Sequence, residues 1–158
     1  MPRIFDNVES KLQSALRKTL ESAARADFCV GYFNLRGWRQ LDDLVERFSG
    51  LDESRCRVLV GMQRLPQDEL RAAQRIASSD EGIDNQTALR LRKLAAEEFR
   101  EQLVLGVPTD ADEAGLRRLS QQLKAGKVVV KLHLRFPLHA KLYLLYRTDY
   151  NNPITGFL

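Results

Sequence analysis

The sequence predicts an α/β fold: a mixed, largely parallel β-sheet flanked by helices, with a helical insert between strands 2 and 3. Three observations predict it. An almost continuous apolar run, Asp27-Phe28-Cys29-Val30-Gly31-Tyr32-Phe33, is joined through one turn and one helical stretch to a second run, Arg57-Val58-Leu59-Val60-Gly61. A strand–helix–strand unit with short links implies a parallel pair and a right-handed crossover. Between Gly61 and Lys127 the apolar residues recur at helical spacing. Two further strand-like runs, 127–134 and 138–146, follow that helical interval.

The elements follow in order. Asp6, with Glu9 three residues on, forms a capping box for a helix over 7–24 whose inner face is Val8, Leu12, Ala15, Leu16, Leu20 and Ala23. The run 27–33 reads as a strand covered on both faces. Asn34-Leu35-Arg36-Gly37 is a turn before a helix over 38–48, which Ser49-Gly50 ends. Pro66 starts a helix with Leu70, Ala73 and Ile76 or Ala77 inward. The longest helix spans 85–105, with an apolar stripe from Ala88 through Phe99 to Leu103 and basic groups, Arg90, Arg92, Lys93 and Arg100, largely off it. Thr109 and Asp112 form a second capping box for a helix that runs to Lys124 and stops at Gly126. Arg135-Phe136-Pro137 turns the third strand into the fourth. Asn151-Asn152-Pro153 is a turn before Ile154-Thr155-Gly156-Phe157-Leu158, which reads as the start of a further strand.

The bulk properties bound the function. The 158 residues are enough for a single domain over 1–158 with a real core. Apolar content of 44% and charged content of 29% are those of a globular chain, not a disordered one. A net charge of +4 permits a nucleic-acid partner without requiring one. No apolar run reaches bilayer-spanning length, and the first residues lack the apolar centre of a signal peptide. Cys29 and Cys56 fit no metal or redox spacing. Each sits in an apolar run, as buried thiols in a reducing cytoplasm do.

The chemistry concentrates in Leu138-His139-Ala140-Lys141-Leu142-Tyr143-Leu144-Leu145-Tyr146. On a strand His139 and Lys141 share a face, with Ala140, Leu142, Leu144 and Tyr146 as a buried apolar back. An imidazole beside a fixed cation suits a phosphodiester. The cation neutralises phosphoryl oxygens while the histidine attacks phosphorus or moves a proton. Tyr143, two residues further along that face, is a candidate phosphate contact. The turn after the first strand is where α/β folds bind ligands, which makes Asn34, Arg36 and Arg39 phosphate-contact candidates as well as ordinary surface groups at a helix start. Gly31 and Gly37 lack the three-glycine dinucleotide spacing. Lys131 and His133 share a face of the third strand, but His133 has no lysine two residues on.

These segments resemble the phospholipase D superfamily, and most closely the phospholipase D-like nuclease domain at the N-terminus of some bacterial superfamily 2 helicases and in some restriction enzymes. The likeness is carried by Ala26 to Phe33 with Leu35-Arg36-Gly37-Trp38, by Arg57 to Gly61, and by Lys127-Val128-Val129-Val130 leading into Leu138 to Tyr143. The family motif is His-x-Lys, four residues, then Asp, with a Gly-Ser-x-Asn segment later. His139 and Lys141 match, the Asp position falls on Tyr146, and Asp149 is off register. The Gly-Ser-x-Asn segment falls beyond Leu158, so the resemblance implies a domain truncated at its C-terminal end. It also implies a metal-independent mechanism without a cofactor, ATP and Mg²⁺ entering only through a following helicase domain. His139 would be the nucleophile, Lys141 the phosphate ligand, and a second copy would supply the second histidine across a homodimer axis.

Two functions of different class follow as expectations. One is a phosphodiesterase or nuclease module acting on DNA in a helicase or restriction-type protein of the bacterial cytoplasm. The other is a non-catalytic module that binds a DNA phosphate and positions a helicase. A lipid-directed phosphodiesterase ranks last, because the sequence offers no clear amphipathic membrane helix.

Overall fold

The computed structural model describes residues 5, 11–61, 84–103, 109–134, 138–148 and 151–158. In chain order these form α1 (Leu12–Leu20), β1 (Arg25–Val30), α2 (Leu35–Trp38), α3 (Asp42–Val45), β2 (Cys56–Gly61), α4 (Asn85–Leu103), α5 (Asp110–Lys124), β3 (Val128–His133), β4 (Lys141–Tyr146) and β5 (Thr155–Phe157). The fold is α/β with a five-stranded mixed sheet in the order β3-β2-β1-β4-β5 and a helical insert between β2 and β3.

The balance of the sheet corrects the expectation of a largely parallel one. β1–β2 and β2–β3 are parallel, whereas β1–β4 and β4–β5 are antiparallel. The cause lies in how β4 is entered. Segment 138–140 crosses the ends of β2 and β1, so β4 must run back down beside β1.

The coverage of the sheet is a second correction. β1 alternates half-buried and buried along its length instead of being buried throughout. Its buried residues Ala26, Phe28 and Val30 share a face with Val58, Val60, Val128 and Leu145, and this face meets Leu16, Leu20, Leu35, Trp38, Val45, Leu103 and Leu119 of the helices in one core. On the opposite face Cys29, Leu59, Val129, Leu142 and Leu144 line a cavity of about 300 Å³. Among the described residues, therefore, the core helices cover one face only.

That geometry also changes part of the reading of β4, while Tyr146 is buried as expected. Leu145 is fully buried and Tyr143 packs against the core, on the face of Lys141. Leu142 and Leu144, assigned to a buried back, line the cavity on the face that the described helices leave uncovered. Lys141 stays exposed because it is the first residue of the strand, at the sheet's end.

The helix ends follow local chemistry. The α5 capping box is complete: the Thr109 side chain accepts from the Asp112 N–H, and the Asp112 carboxylate accepts from the Thr109 N–H at 3.0 Å. Gly126, with φ of +72°, follows that helix in the left-handed region glycine favours. α1 stops at Leu20, short of the expected 24, because the Ala24 N–H already donates to Tyr146 O in the sheet ladder. The single helix expected over 38–48 is two short ones. Asn34 Oδ1 accepts from the Gly37 N–H at 2.6 Å and starts α2 at Leu35. The Asp6–Glu9 capping box, the Pro66 helix and the Arg135–Pro137 turn lie outside the described residues.

Gln122 fastens the short helices to α5. Its Oε1 accepts from Trp38 Nε1 at 3.1 Å, and its Nε2 donates to Asp42 O at 2.9 Å and to Glu46. A buried amide satisfied on both sides fixes the registry of three elements, where an unpaired one would cost about 1–3 kcal/mol.

Candidate active site

The C-terminal ends of β1, β2 and β3 meet the start of β4 at one end of the sheet, where Val30 pairs with Val60 and Lys141 and Gly61 pairs with His133. Segment 138–140 lies directly over this end. The Gly31 N–H donates to Ala140 O at 2.7 Å, which extends the β1–β4 ladder by one bond. A Cβ on Gly31 would stand 2.8 Å from Leu138 O and 3.3 Å from His139 Cα. One on Gly61 would stand 2.5 Å from Gly31 O and 2.9 Å from Leu138 O. Only glycine at both positions lets the His139 backbone lie this close to the strand ends.

His139 and Lys141 are both exposed and line one cavity of about 140 Å³, together with Tyr32, Asn34 and Tyr143. Among the described residues neither has a hydrogen-bond or ion-pair partner, so an imidazole and an ammonium stand available at one mouth. Tyr143 packs edge-on against Phe28 at 5.1 Å between ring centroids. Burial, with a smaller contribution from Tyr32, pushes its phenol above the usual range, so it remains a hydrogen-bond donor.

Two of the arginine-bearing positions lie elsewhere. The Arg36 guanidinium pairs with the Asp112 carboxylate at 3.4 Å, and the Arg39 side chain lies across Gly115 of α5, lining a separate notch. Asn34, His139, Lys141 and Tyr143 thus converge, whereas Arg36 and Arg39 do not join them. Tyr32 was missed, because the expected strand over 27–33 hid it. β1 ends at Val30, and Tyr32 stands 46% exposed at the cavity rim. The usable signal was Gly31, which marks the strand's end.

The far end of β4 is closed. Arg57 donates to both carboxylate oxygens of Asp27, one at 2.6 Å, and the Tyr146 hydroxyl also donates to that carboxylate. Burial pushes the Asp27 carboxyl up, but the hydrogen bonds from Arg57 and Tyr146 outweigh it and hold it below its ordinary value. The Arg25 guanidinium stacks on the Tyr146 ring at 3.9 Å. The thiols differ as well. Cys56 is fully buried, and burial pushes its pKa up, whereas Cys29 is half-buried and lines the open-face cavity.

No group of three or more His, Cys, Asp or Glu side chains is placed to hold a metal ion among the described residues. Among the same residues, no helix is long and apolar enough to cross a membrane. No protein-family model and no curated protein matches the chain.

Proposed function

We propose that this chain is a phospholipase D-like phosphodiesterase module acting on DNA, with His139 as nucleophile and Lys141 as phosphate ligand. The observation that carries the reading is the single cavity lined by His139, Lys141, Asn34 and Tyr143 at the end of the sheet. The chemistry balances with water as the one further reactant and a proton delivered to the leaving oxygen. A histidine ring nitrogen attacks phosphorus, the bond to the leaving oxygen breaks, and a phosphohistidine forms. Water then attacks the same phosphorus and returns free histidine. Lys141 opposes the charge that builds on the non-bridging oxygens, and the protonated Tyr143 phenol is a further donor at the cavity wall.

One motif supplies one nucleophile, and the leaving oxygen needs an acid. His133 is three strands from β4 in the sheet order and ends β3 opposite Gly61. The resemblance supplies that acid as the His139 of a second copy, across a two-fold axis through the cavity. A chain that sediments as a strict monomer at high concentration contradicts this arrangement. The setting we propose is a bacterial helicase or restriction-type protein.

His139→Ala tests the reading directly. Because the side chain is exposed, the thermal midpoint stays that of the wild type while DNA cleavage falls by at least about 10²–10⁴-fold. Full cleavage by that variant removes His139 from the mechanism. One observation favours the second reading, a non-catalytic module that binds DNA phosphate and positions a helicase. Tyr146 stands where the family has Asp, and it is engaged by Asp27 and Arg25. That reading predicts salt-dependent DNA binding with no turnover by the wild type.

A further inference from the structure

The contact between the α2–α3 stretch and α5 is a ladder with one incomplete rung. Residues 36, 39 and 42 face residues 112, 115 and 118, and both series advance by three, so each helical stretch presents a single row. In the first rung Arg36 pairs with Asp112, whose carboxylate is only 3% exposed. In the third Asp42, 5% exposed, pairs with Arg118 at 3.1 Å. The middle rung sets Arg39 against Gly115.

Gly115 gives Arg39 a path and no counter-charge. A Cβ at Gly115 would stand 2.7 Å from Arg39 Cδ and 3.0 Å from Arg39 Cγ. The arginine's aliphatic stem therefore lies on the α5 backbone itself. Its guanidinium has no hydrogen-bond or ion-pair partner among the described residues, unlike those of its two neighbours. Beside it is a polar notch of about 190 Å³ lined by Arg39, Asp42, Ala114, Gly115 and Arg118. Two guanidinium groups against one carboxylate leave that lining with one surplus positive charge. Arg118 uses Nη1 on Asp42, and arginine's planar fork carries further donors.

We infer that this notch seats a backbone phosphate of the bound nucleic acid, with Arg39 as the principal ligand and Arg118 as the second. The inference rests on the proposed DNA-directed function, and it adds a contact point away from the reacting centre. The link between the two is α2. Its cap, Asn34, lines the His139 cavity, and Arg39 follows five residues later, about 7 Å further along a helical axis. Along that row Arg36, already paired with Asp112, comes first, and Arg39 follows it. Contacts of this kind set register and affinity and carry no sequence information.

The test measures binding of a fluorescent DNA oligonucleotide against KCl concentration for wild type, Arg39→Ala, Arg39→Lys and Gly115→Ala. Loss of one phosphate contact makes the slope of log affinity against log salt shallower by about one. Arg39→Ala shows that change and Arg39→Lys recovers most of the slope. Gly115→Ala, which keeps every charge but displaces the stem, behaves like Arg39→Ala. In a parallel titration, inorganic phosphate shifts the Gly115 amide resonance in the wild type and not in Arg39→Ala. A wild-type slope in Arg39→Ala overturns the notch, while DNA binding and His139-dependent cleavage would leave the main reading standing. Absence of DNA binding by the wild type at low salt overturns both.

Discussion

The two ends of β4 use charge in opposite ways. At the Tyr146 end the central charged groups are engaged: Arg57 clasps Asp27, Tyr146 donates to the same carboxylate, and Arg25 covers the Tyr146 ring. At the Lys141 end the ammonium and the neighbouring imidazole have no partner among the described residues, and the backbone beneath them has been stripped of side chains at Gly31 and Gly61. A closed network contributes to holding strands in register. An open pair of exposed groups contributes little to folding, and in the proposed function its hydrogen-bonding capacity serves the phosphate. In the proposed function the same six-residue strand therefore carries a structural end and a chemical end.

That contrast makes graded predictions. The largest effect concerns Lys141→Ala. Removing an unpaired exposed ammonium leaves the unfolding midpoint unchanged, while DNA cleavage falls by about 10²–10³-fold, the usual loss when one transition-state charge contact is removed. Parallel melting curves and initial rates check it. A drop in stability without a drop in rate would make Lys141 a structural residue and erase the distinction between the ends.

Gly61→Ala comes next and acts on the chemical end through its floor. The new methyl meets Gly31 O and Leu138, so the 138–140 segment must lift. Overpacking of this kind costs about 1–3 kcal/mol in stability. Displacement of His139 by even about 1 Å lowers the rate by about 10²-fold. Urea unfolding and cleavage assays on the same preparation read both losses. A variant as stable and as active as the wild type would show that the close approach at Gly61 does not matter.

The smallest effect belongs to the structural end. Asp27→Asn loses the charge-assisted bonds from Arg57 and costs about 1 kcal/mol near neutral pH, since Arg57 is half exposed and solvent screens the pair. The sign of its pH dependence follows from the direction of the shift. A carboxyl held below its ordinary value contributes stability that is present above the ordinary pKa, about 4, and is lost as pH falls through the lowered value. The gap between wild type and Asp27→Asn in urea midpoint therefore narrows as pH is taken below about 4, and cleavage at neutral pH is unaffected. A gap that widens in acid contradicts the assignment.

Much of this arrangement is legible in the amino-acid sequence. Apolar runs and helical spacing placed β1, β2, β3, α4 and α5, and the Thr109–Asp112 pair located the start of α5 to the residue. His139 and Lys141 stood out because charged and titratable residues inside an apolar run are locally visible. What could not be read was orientation. Period-two alternation shows that Lys141 and Leu142 face opposite ways, but not which of the two faces the helices cover. Leu145 and Tyr143, rather than Leu142 and Leu144, met the core for that reason. Arg36 and Arg39 illustrate a second limit. Their partners, Asp112 and Gly115, lie more than seventy residues away, and no local pattern connects them. Gly61 read only as the last residue of a strand, since its function depends on a crossing segment far along the chain.

The most direct measurement of the central claim is acid-sensitive trapping of a covalent intermediate. Protein quenched during turnover of a labelled DNA substrate is digested and mapped by mass spectrometry. The account predicts a phosphoramidate adduct on His139, labile in acid and absent from His139→Ala. Turnover accompanied by no adduct on His139, or by an adduct on another residue, would contradict it.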